Sequence, residues 1–142
     1  MFVVARRLLL IEDNGDNRML IKFALESKTD WKVITATNGM EGISKAETEQ
    51  PDVILLDLVM PDLDGLTVCE VLKSNLFTCT IPVIFITAMV EAKVLARLEA
   101  TLAAGIITKP FDVINLDLEI AKMCQWEINS YITKDISKYA CF

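Results

Sequence analysis

Four short apolar segments each lead into polar residues that could bind a metal ion or a phosphoryl group. The segments span residues 8–11, 53–56, 83–86 and 106–108, and the residues that end or follow them are Glu12 with Asp13, Asp57, Thr87 and Lys109. If the segments are strands of one parallel sheet, these side chains share the edge at which open α/β sheets bind ligands. Three carboxylates, a hydroxyl and an ammonium in one cleft are suited to metal-assisted transfer of a phosphoryl group onto an aspartate.

The three carboxylates need a cation if they lie together. Two like charges about 4 Å apart repel by roughly 4 kcal/mol at an effective dielectric constant of 20. The chain contains no histidine, which argues against zinc or copper bound through imidazole. Carboxylate oxygens instead favour Mg²⁺, for which Mn²⁺ could substitute. In the competing interpretation each polar residue merely ends its strand, but four strands that end on this set favour a shared site.

The composition predicts a single domain in the cytoplasm. A chain of 142 residues is long enough to bury a core without disulfides. No apolar stretch reaches the roughly 18 residues that a membrane-spanning helix needs. The four cysteines lack the spacing of a metal site and are expected to be free thiols in a reducing compartment. Because the net charge is −6, we expect no direct nucleic-acid binding.

Apolar segments alternate with amphipathic ones along the chain, which is the pattern of an α/β fold. A further strand is expected over residues 31–37. Five helices are expected. The first runs from a cap at Asn14 or Asp16 to about Ser27, and the second spans Gly39–Glu49. The third follows the turn Asp64-Gly65, the fourth spans Glu91–Ala104 and is ended by Gly105, and the fifth starts from a cap at Asp112. The prediction is a doubly wound, five-stranded parallel sheet of order 2-1-3-4-5, the flavodoxin-like arrangement.

Helical spacing predicts which side chains supply the apolar faces. The expected residues are Met19, Ile21, Phe23 and Leu25 in the first helix, Leu66, Cys69 and Leu72 in the third, and Val113, Leu116, Ile120 and Met123 in the fifth. One domain is expected over residues 1–126. The extension over 127–142 carries apolar residues at helical spacing, so it is expected to form a helix, either as a continuation of helix five or as a separate piece.

Four motifs resemble those of a response-regulator receiver domain of two-component signalling, in the same order along the chain. They are Ile11-Glu12-Asp13-Asn14, the segment from Leu56 to Gly65, Phe85-Ile86-Thr87-Ala88 and Thr108-Lys109-Pro110-Phe111. The resemblance covers residues 7–122. Each motif alone is common, but the four together, each after its own strand, are specific.

The resemblance implies a phosphoacceptor and a metal site. Asp57 would accept a phosphoryl group from a phosphohistidine as a covalent nucleophile. Mg²⁺ would be bound directly by Asp13 and Asp57, through water by Glu12, and by the backbone carbonyl of Val59. Such a protein catalyses its own phosphorylation and dephosphorylation, which leaves open whether it counts as a turnover enzyme.

The resemblance also implies a switch. Lys109 would neutralise phosphoryl oxygens, and its bond to Pro110 would be cis. Thr87 would turn its hydroxyl towards the acylphosphate and so report phosphorylation. Family members commonly carry Tyr or Phe three residues before the lysine, whereas this chain has Ile106, a branched aliphatic side chain with a smaller swing between exposed and buried positions and no hydroxyl.

The implied partners are proteins. The phosphoryl donor would be a histidine kinase or a histidine phosphotransfer protein, since this chain has no histidine of its own. No output domain is recognised, so output is expected through a downstream partner or a homodimer that uses helix four, strand five and helix five.

Two other classes of function remain as alternatives. A haloacid-dehalogenase-type hydrolase also uses an aspartate and Mg²⁺ at strand ends, but it needs a second acid two residues after the nucleophile, where this chain has Val59. A degenerate receiver or a flavodoxin-like binding module would act without phosphorylation. No Ser/Thr/Gly-rich loop is available to bind a flavin phosphate, and all the candidate site residues are intact.

Overall fold

The computed structural model describes residues 5–89 and 91–126, in which five strands alternate with five helices. In chain order they are β1 (Arg7–Ile11), α1 (Gly15–Lys28), β2 (Lys32–Ala36), α2 (Gly39–Glu49), β3 (Val53–Asp57), α3 (Gly65–Ser74), β4 (Val83–Thr87), α4 (Ala92–Glu99), β5 (Gly105–Thr108) and α5 (Leu116–Met123).

The strands form one parallel sheet in the order β2-β1-β3-β4-β5, which confirms the predicted topology. The register aligns the carboxyl ends of neighbouring strands: Ile11 pairs with Leu56, Asp57 with Ile86, and Thr87 with Thr108. The residues that follow these strands therefore meet at one edge of the sheet.

Each face of the sheet is covered by helices, so the apolar strands are buried on both sides. Leu9 and Ile11 of β1 belong to a core cluster shared with α2, α3 and α4, which we call the first core. Leu8 and Leu10 point to the opposite face and belong to a second core shared with α1 and α5. Burial on both faces explains why the strand sequences are continuously apolar rather than alternating.

The first three helices begin where the sequence predicts, because a polar side chain caps each of them. The Asn14 side chain accepts a hydrogen bond from the Asn17 amide (2.9 Å), which selects Asn14 rather than Asp16 as the cap of α1. Asn38 and Asp64 accept equivalent bonds at α2 and α3, both of 2.8 Å. The bounds of α2 are those predicted.

The prediction for α4 is wrong at its carboxyl end. The helix stops at Glu99, five residues before the predicted Ala104, and Gly105 begins β5 instead of ending the helix. The Thr101 hydroxyl and amide both donate to the Leu98 carbonyl, which closes the last turn. The Ala104 amide then donates to the Val83 carbonyl (2.7 Å). Residues 100–104 are therefore needed to bring the chain from the helix back to the sheet.

The predicted start of α5 is also wrong. Asp112 accepts bonds from the Ile114 amide (3.0 Å) and the Asn115 side chain (2.7 Å), and so stabilises a turn before the helix begins at Leu116. Val113 lies in that turn and is exposed rather than inward-facing. Leu116 and Ile120 are buried as predicted, and Met123 packs partly against the second core.

The apolar residues of α1 divide between core and solvent. Ile21 and Leu25 are fully buried, as predicted. Met19 and Phe23 are each 72% exposed, so the prediction that they belong to the apolar face of the helix is wrong. In the third helix Cys69 and Leu72 are buried and Leu66 packs against the first core, as expected.

The carboxyl end of α5 turns away from the helix axis. Gln125 has a left-handed backbone (φ 59°), and the Trp126 amide donates to the Ala121 carbonyl (2.8 Å). Trp126 then packs edge-on against Trp31, with the ring centroids 5.4 Å apart. The predicted helical extension over 127–142 lies outside the described residues, and the division at 126 stays a prediction. None of the helices that the structure describes is long and apolar enough to cross a membrane.

Candidate functional site

The structure brings the three strand-end carboxylates together. Glu12 and Asp13 follow β1, and Asp57 is the last residue of the neighbouring strand β3. One carboxylate oxygen from each residue lies within 4.8 Å of the others. Glu12 and Asp57 are buried and Asp13 is exposed, so the cluster opens to solvent on the Asp13 side.

Lys109 bridges two of these carboxylates. Its Nζ lies 3.1 Å from Glu12 Oε1 and 3.6 Å from Asp57 Oδ2. Its backbone amide donates to the Thr87 carbonyl (2.8 Å), which fixes the residue just beyond β5. The bond between Lys109 and Pro110 is cis, as the resemblance implies. The ammonium therefore offsets part of the negative charge, but one cation faces three carboxylates.

The electrostatics at Glu12 reflect this imbalance. Burial raises the pKa of Glu12 above its ordinary value, and the neighbouring Asp57 raises it further, while the hydrogen bond from Lys109 acts in the opposite direction. A divalent cation would favour the ionised form of Glu12. The donor set consists of carboxylate oxygens, which fits a hard cation such as Mg²⁺ and leaves imidazole-preferring metals without a ligand here.

The last two predicted site residues lie at the same edge of the sheet. Thr87 ends β4 and is buried, and its Oγ1 accepts a hydrogen bond from the Met89 amide (3.0 Å). Val59 follows Asp57 by two residues, and its amide lies 3.3 Å from Asp57 Oδ1. Val59 is 60% exposed.

The segment 58–64, which we call the β3–α3 loop, is closed at its base. The Gly65 amide donates to the Leu58 carbonyl (2.8 Å). A Cβ atom on Gly65 would lie 2.6 Å from the Asp57 carbonyl oxygen and 2.8 Å from Leu58 Cα, so only glycine allows α3 to start this close to β3.

Sequence reasoning missed two residues that make hydrogen bonds close to the site. Arg18 of α1 donates from Nη1 to the carbonyls of Glu12 (2.9 Å) and Asp13 (3.2 Å), and so holds the backbone that carries the acid pair. Asp62 of the β3–α3 loop accepts hydrogen bonds from the first two amides of α2. Neither contact has a sequence signal, because a polar side chain on a helix or loop is usually solvated.

Ile106 takes the place of the expected aromatic residue. It pairs with Phe85 across β4 and β5, and its half-buried side chain packs against the first core. The aliphatic side chain therefore has core contacts in this state.

Comparisons with known proteins agree with this geometry. A family model described as the response regulator receiver domain matches residues 8–121. The alkaline phosphatase synthesis transcriptional regulatory protein PhoP of Bacillus subtilis is 39% identical over 108 residues, which cover 75% of this chain and 43% of that protein. The chain thus spans less than half the length of this curated relative.

Solved structures show the same fold. The signal receiver domain of a signal transduction histidine kinase from Syntrophus aciditrophicus aligns with a TM-score of 0.77 and 27% identity, covering 89% of this chain and 95% of that one. The chemotaxis protein CheY4 of Vibrio cholerae aligns with a TM-score of 0.78 and 22% identity, covering 84% and 99% respectively. Since the family model matches most of the sequence and the strand order agrees, the chain belongs to the response regulator receiver domain family.

Proposed function

We propose that this chain is a signalling protein that accepts a phosphoryl group on Asp57 in a Mg²⁺-dependent reaction and then changes its protein contacts. The observation that carries the proposal is the arrangement around Asp57. Its buried carboxylate ends a central strand, shares the cluster with Glu12 and Asp13, and has the Lys109 ammonium 3.6 Å away.

The proposed metal ligands are the side chains of Glu12, Asp13 and Asp57 together with the Val59 carbonyl. When bound, Mg²⁺ supplies positive charge that relieves the repulsion among the carboxylates and stabilises negative phosphoryl oxygens. The exposure of Asp13 and the closed base of the β3–α3 loop support this assignment.

The proposed chemistry on Asp57 is a nucleophilic displacement. A carboxylate oxygen of Asp57 attacks phosphorus, the P–N bond of the phosphohistidine breaks, and the imidazole nitrogen keeps the electron pair. Lys109 neutralises charge on the phosphoryl oxygens during the transfer, which its position between Glu12 and Asp57 supports.

The proposed donor is a histidine kinase or a histidine phosphotransfer protein in the cytoplasm. A separate donor is needed because the chain has no histidine to phosphorylate. The match covers only 43% of PhoP, so the transcriptional role in that protein's name forms no part of the proposed function. The net charge of −6 also supports a protein partner rather than DNA.

The proposed output begins at Thr87. Its hydroxyl accepts from the Met89 amide in this state, and on phosphorylation it would turn to the acylphosphate instead. That change would alter the face formed by α4, β5 and α5, which would then bind a downstream partner or a second copy of the chain.

The test is intact-mass measurement after incubation with acetyl phosphate and Mg²⁺. The wild type is expected to gain one phosphoryl group, and Asp57→Asn none. Asp30→Asn, which changes an exposed acid in the turn before β2, serves as the control and should be labelled like the wild type. Full labelling of Asp57→Asn would remove Asp57 from the mechanism, and an unlabelled wild type would favour a phosphorylation-independent interaction module.

A further inference from the structure

The β3–α3 loop is tied to a helix that is distant in the sequence. Asp62 Oδ1 accepts a hydrogen bond from the Gly39 amide and Oδ2 accepts one from the Met40 amide, both of 2.9 Å. Both carboxylate oxygens are therefore used, and the residues that they join are 22 and 23 positions apart. Positive partial charge at the start of a helix strengthens such contacts.

The start of α2 lies unusually close to this loop. A Cβ atom on Gly39 would lie 2.8 Å from Val68 Cγ2, 3.0 Å from Leu63 Cβ and 3.5 Å from Asp62 Oδ1. Glycine at position 39 therefore lets the backbone amide reach the carboxylate. The bonds from Gly39 and Met40 also lower the pKa of Asp62, so the side chain is ionised at neutral pH.

Helix α2 does not need Asp62 in order to begin. Asn38 already caps it by accepting from the Glu41 amide (2.8 Å), and Glu41 in turn accepts from the Thr37 amide (2.6 Å) and hydroxyl (2.9 Å). Because residues at its own start already cap α2, we expect the hydrogen bonds of Asp62 to restrain the β3–α3 loop rather than to start the helix.

The loop has few other polar anchors. Within the described part of the chain, the hydrogen bonds that join residues 59–63 to any helix are the two made by Asp62. Met60 and Leu63 pack against the first core, whereas Val59 is exposed and its amide makes only a long bond of 3.3 Å to Asp57. The backbone at Val59 thus depends on anchors further along the loop.

We infer that Asp62 is a positioning residue, which ties the β3–α3 loop to α2 and keeps the Val59 backbone where its carbonyl serves as a metal ligand. The inference rests on the proposed function, because Val59 is a proposed ligand. Asp62 is not part of the carboxylate cluster formed by Glu12, Asp13 and Asp57. Its loss should weaken Mg²⁺ binding without removing any ligand or the nucleophile.

The test compares Asp62→Ala and Asp62→Asn with the wild type and with Asn38→Ala. Asn38→Ala is the matched control, because it removes a cap from the same helix but leaves the loop tied. Mg²⁺ affinity is measured by calorimetry and by the rise in Tm with Mg²⁺ concentration. The rate of labelling by acetyl phosphate is recorded against Mg²⁺ concentration for each protein.

Asp62→Ala is expected to weaken Mg²⁺ binding about tenfold, the typical effect of losing a residue that orients a metal ligand. Its labelling rate at saturating Mg²⁺ should stay that of the wild type. Asp62→Asn keeps one acceptor oxygen, so its Mg²⁺ affinity should lie between those of the wild type and Asp62→Ala. If the alanine variant fails to fold, the test rests on Asp62→Asn. Asn38→Ala should lower the urea midpoint and leave Mg²⁺ affinity unchanged.

Unchanged Mg²⁺ affinity in both Asp62 variants would overturn the inference and leave the proposed function intact. Equal weakening by Asn38→Ala would also overturn it, since the effect would then come from α2 stability. A wild type that neither binds Mg²⁺ nor takes up a phosphoryl group would overturn the proposed function and this inference together.

Discussion

The two halves of the site are built differently. The acid half, made of the ends of β1 and β3 with Glu12, Asp13 and Asp57, lies in the middle of the sheet and is braced by Arg18 and Asp62. The switch half, made of the ends of β4 and β5 with Thr87 and Lys109, includes the edge strand β5. Its helices α4 and α5 begin without a side-chain cap, whereas α1, α2 and α3 each have one.

The two halves also differ in burial, at β5 and α4 rather than at β4, whose residues are all buried like those of β3. Every residue of β3 is buried, whereas Gly105 and Ile106 of β5 are half-buried and Thr108 is exposed. Helix α4 buries only Leu98. Elements with few buried contacts open locally at low cost in free energy. The proposed output face thus includes the two elements with the fewest buried residues, α4 and β5.

The largest effect is expected from Gly65→Ala, which would break the acid half. The new Cβ would lie 2.6 Å from the Asp57 carbonyl oxygen, so β3 or α3 must shift. We expect the free energy of unfolding to fall by about 2 kcal/mol, as measured by urea denaturation. Gly15→Ala is the matched control, because the nearest atom to its Cβ would be Arg18 Nη2 at 3.6 Å. Equal effects of the two variants would show that the β3–α3 junction is not tightly constrained.

The lifetime of the acylphosphate tests whether apolar side chains around the site exclude an attacking water. The family resemblance implies that Val59 and Met89 would flank the path of that water, and neither side chain could orient or deprotonate it. We expect a lifetime of minutes or longer. Val59→Asn and Met89→Glu should each accelerate decay about tenfold, which corresponds to about 1.4 kcal/mol. Decay is followed by intact mass after donor removal, and loss of the label within seconds, unaffected by either change, would contradict the prediction.

Coupling within the switch half should depend more on Thr87 than on Ile106. Thr87→Ala removes the hydroxyl that would contact the acylphosphate, with an expected loss of about 1 kcal/mol of coupling. Ile106→Ala only trims a half-buried contact with the first core and should weaken coupling less. Amide chemical shifts are recorded on adding beryllofluoride, an acylphosphate mimic, and are expected to change over residues 87–122. Changes restricted to the surroundings of Asp57 would count against an output face at α4, β5 and α5.

The smallest effect concerns Glu12 and pH in Mg²⁺-free buffer. Burial, and then Asp57, raises the folded-state pKa of Glu12 above 4.5. Protonation of this carboxyl therefore favours folding, so its contribution is complete below the unfolded pKa and is lost as pH rises through the folded pKa. The stability of the wild type relative to Glu12→Gln should fall as pH increases above 4.5. Other acids titrate in both proteins, so only the difference between the two urea midpoints reports on Glu12. If that difference is the same at every pH, the raised pKa of Glu12 is contradicted.

Much of the fold followed from the sequence because its determinants are local. Continuous apolar segments identified the strands, and capping residues such as Asn14 and Asp64 located the starts of α1 and α3. The convergence of Glu12, Asp13, Asp57 and Lys109 also followed, since parallel strands align their carboxyl ends. The prediction at Asp112 was wrong because a capping side chain and a turn-forming side chain make similar local hydrogen bonds.

Tertiary structure alone decided how the site is supported. The sequence determined which acids meet, but only packing of the chain around them decided that Glu12 is buried while Asp13 is exposed. It also decided that Asp62 reaches the amides of Gly39 and Met40, a contact that depends on how closely the start of α2 approaches the β3–α3 loop. Residue type and spacing encode local conformation and periodic burial, whereas a bond between distant segments depends on how whole elements pack.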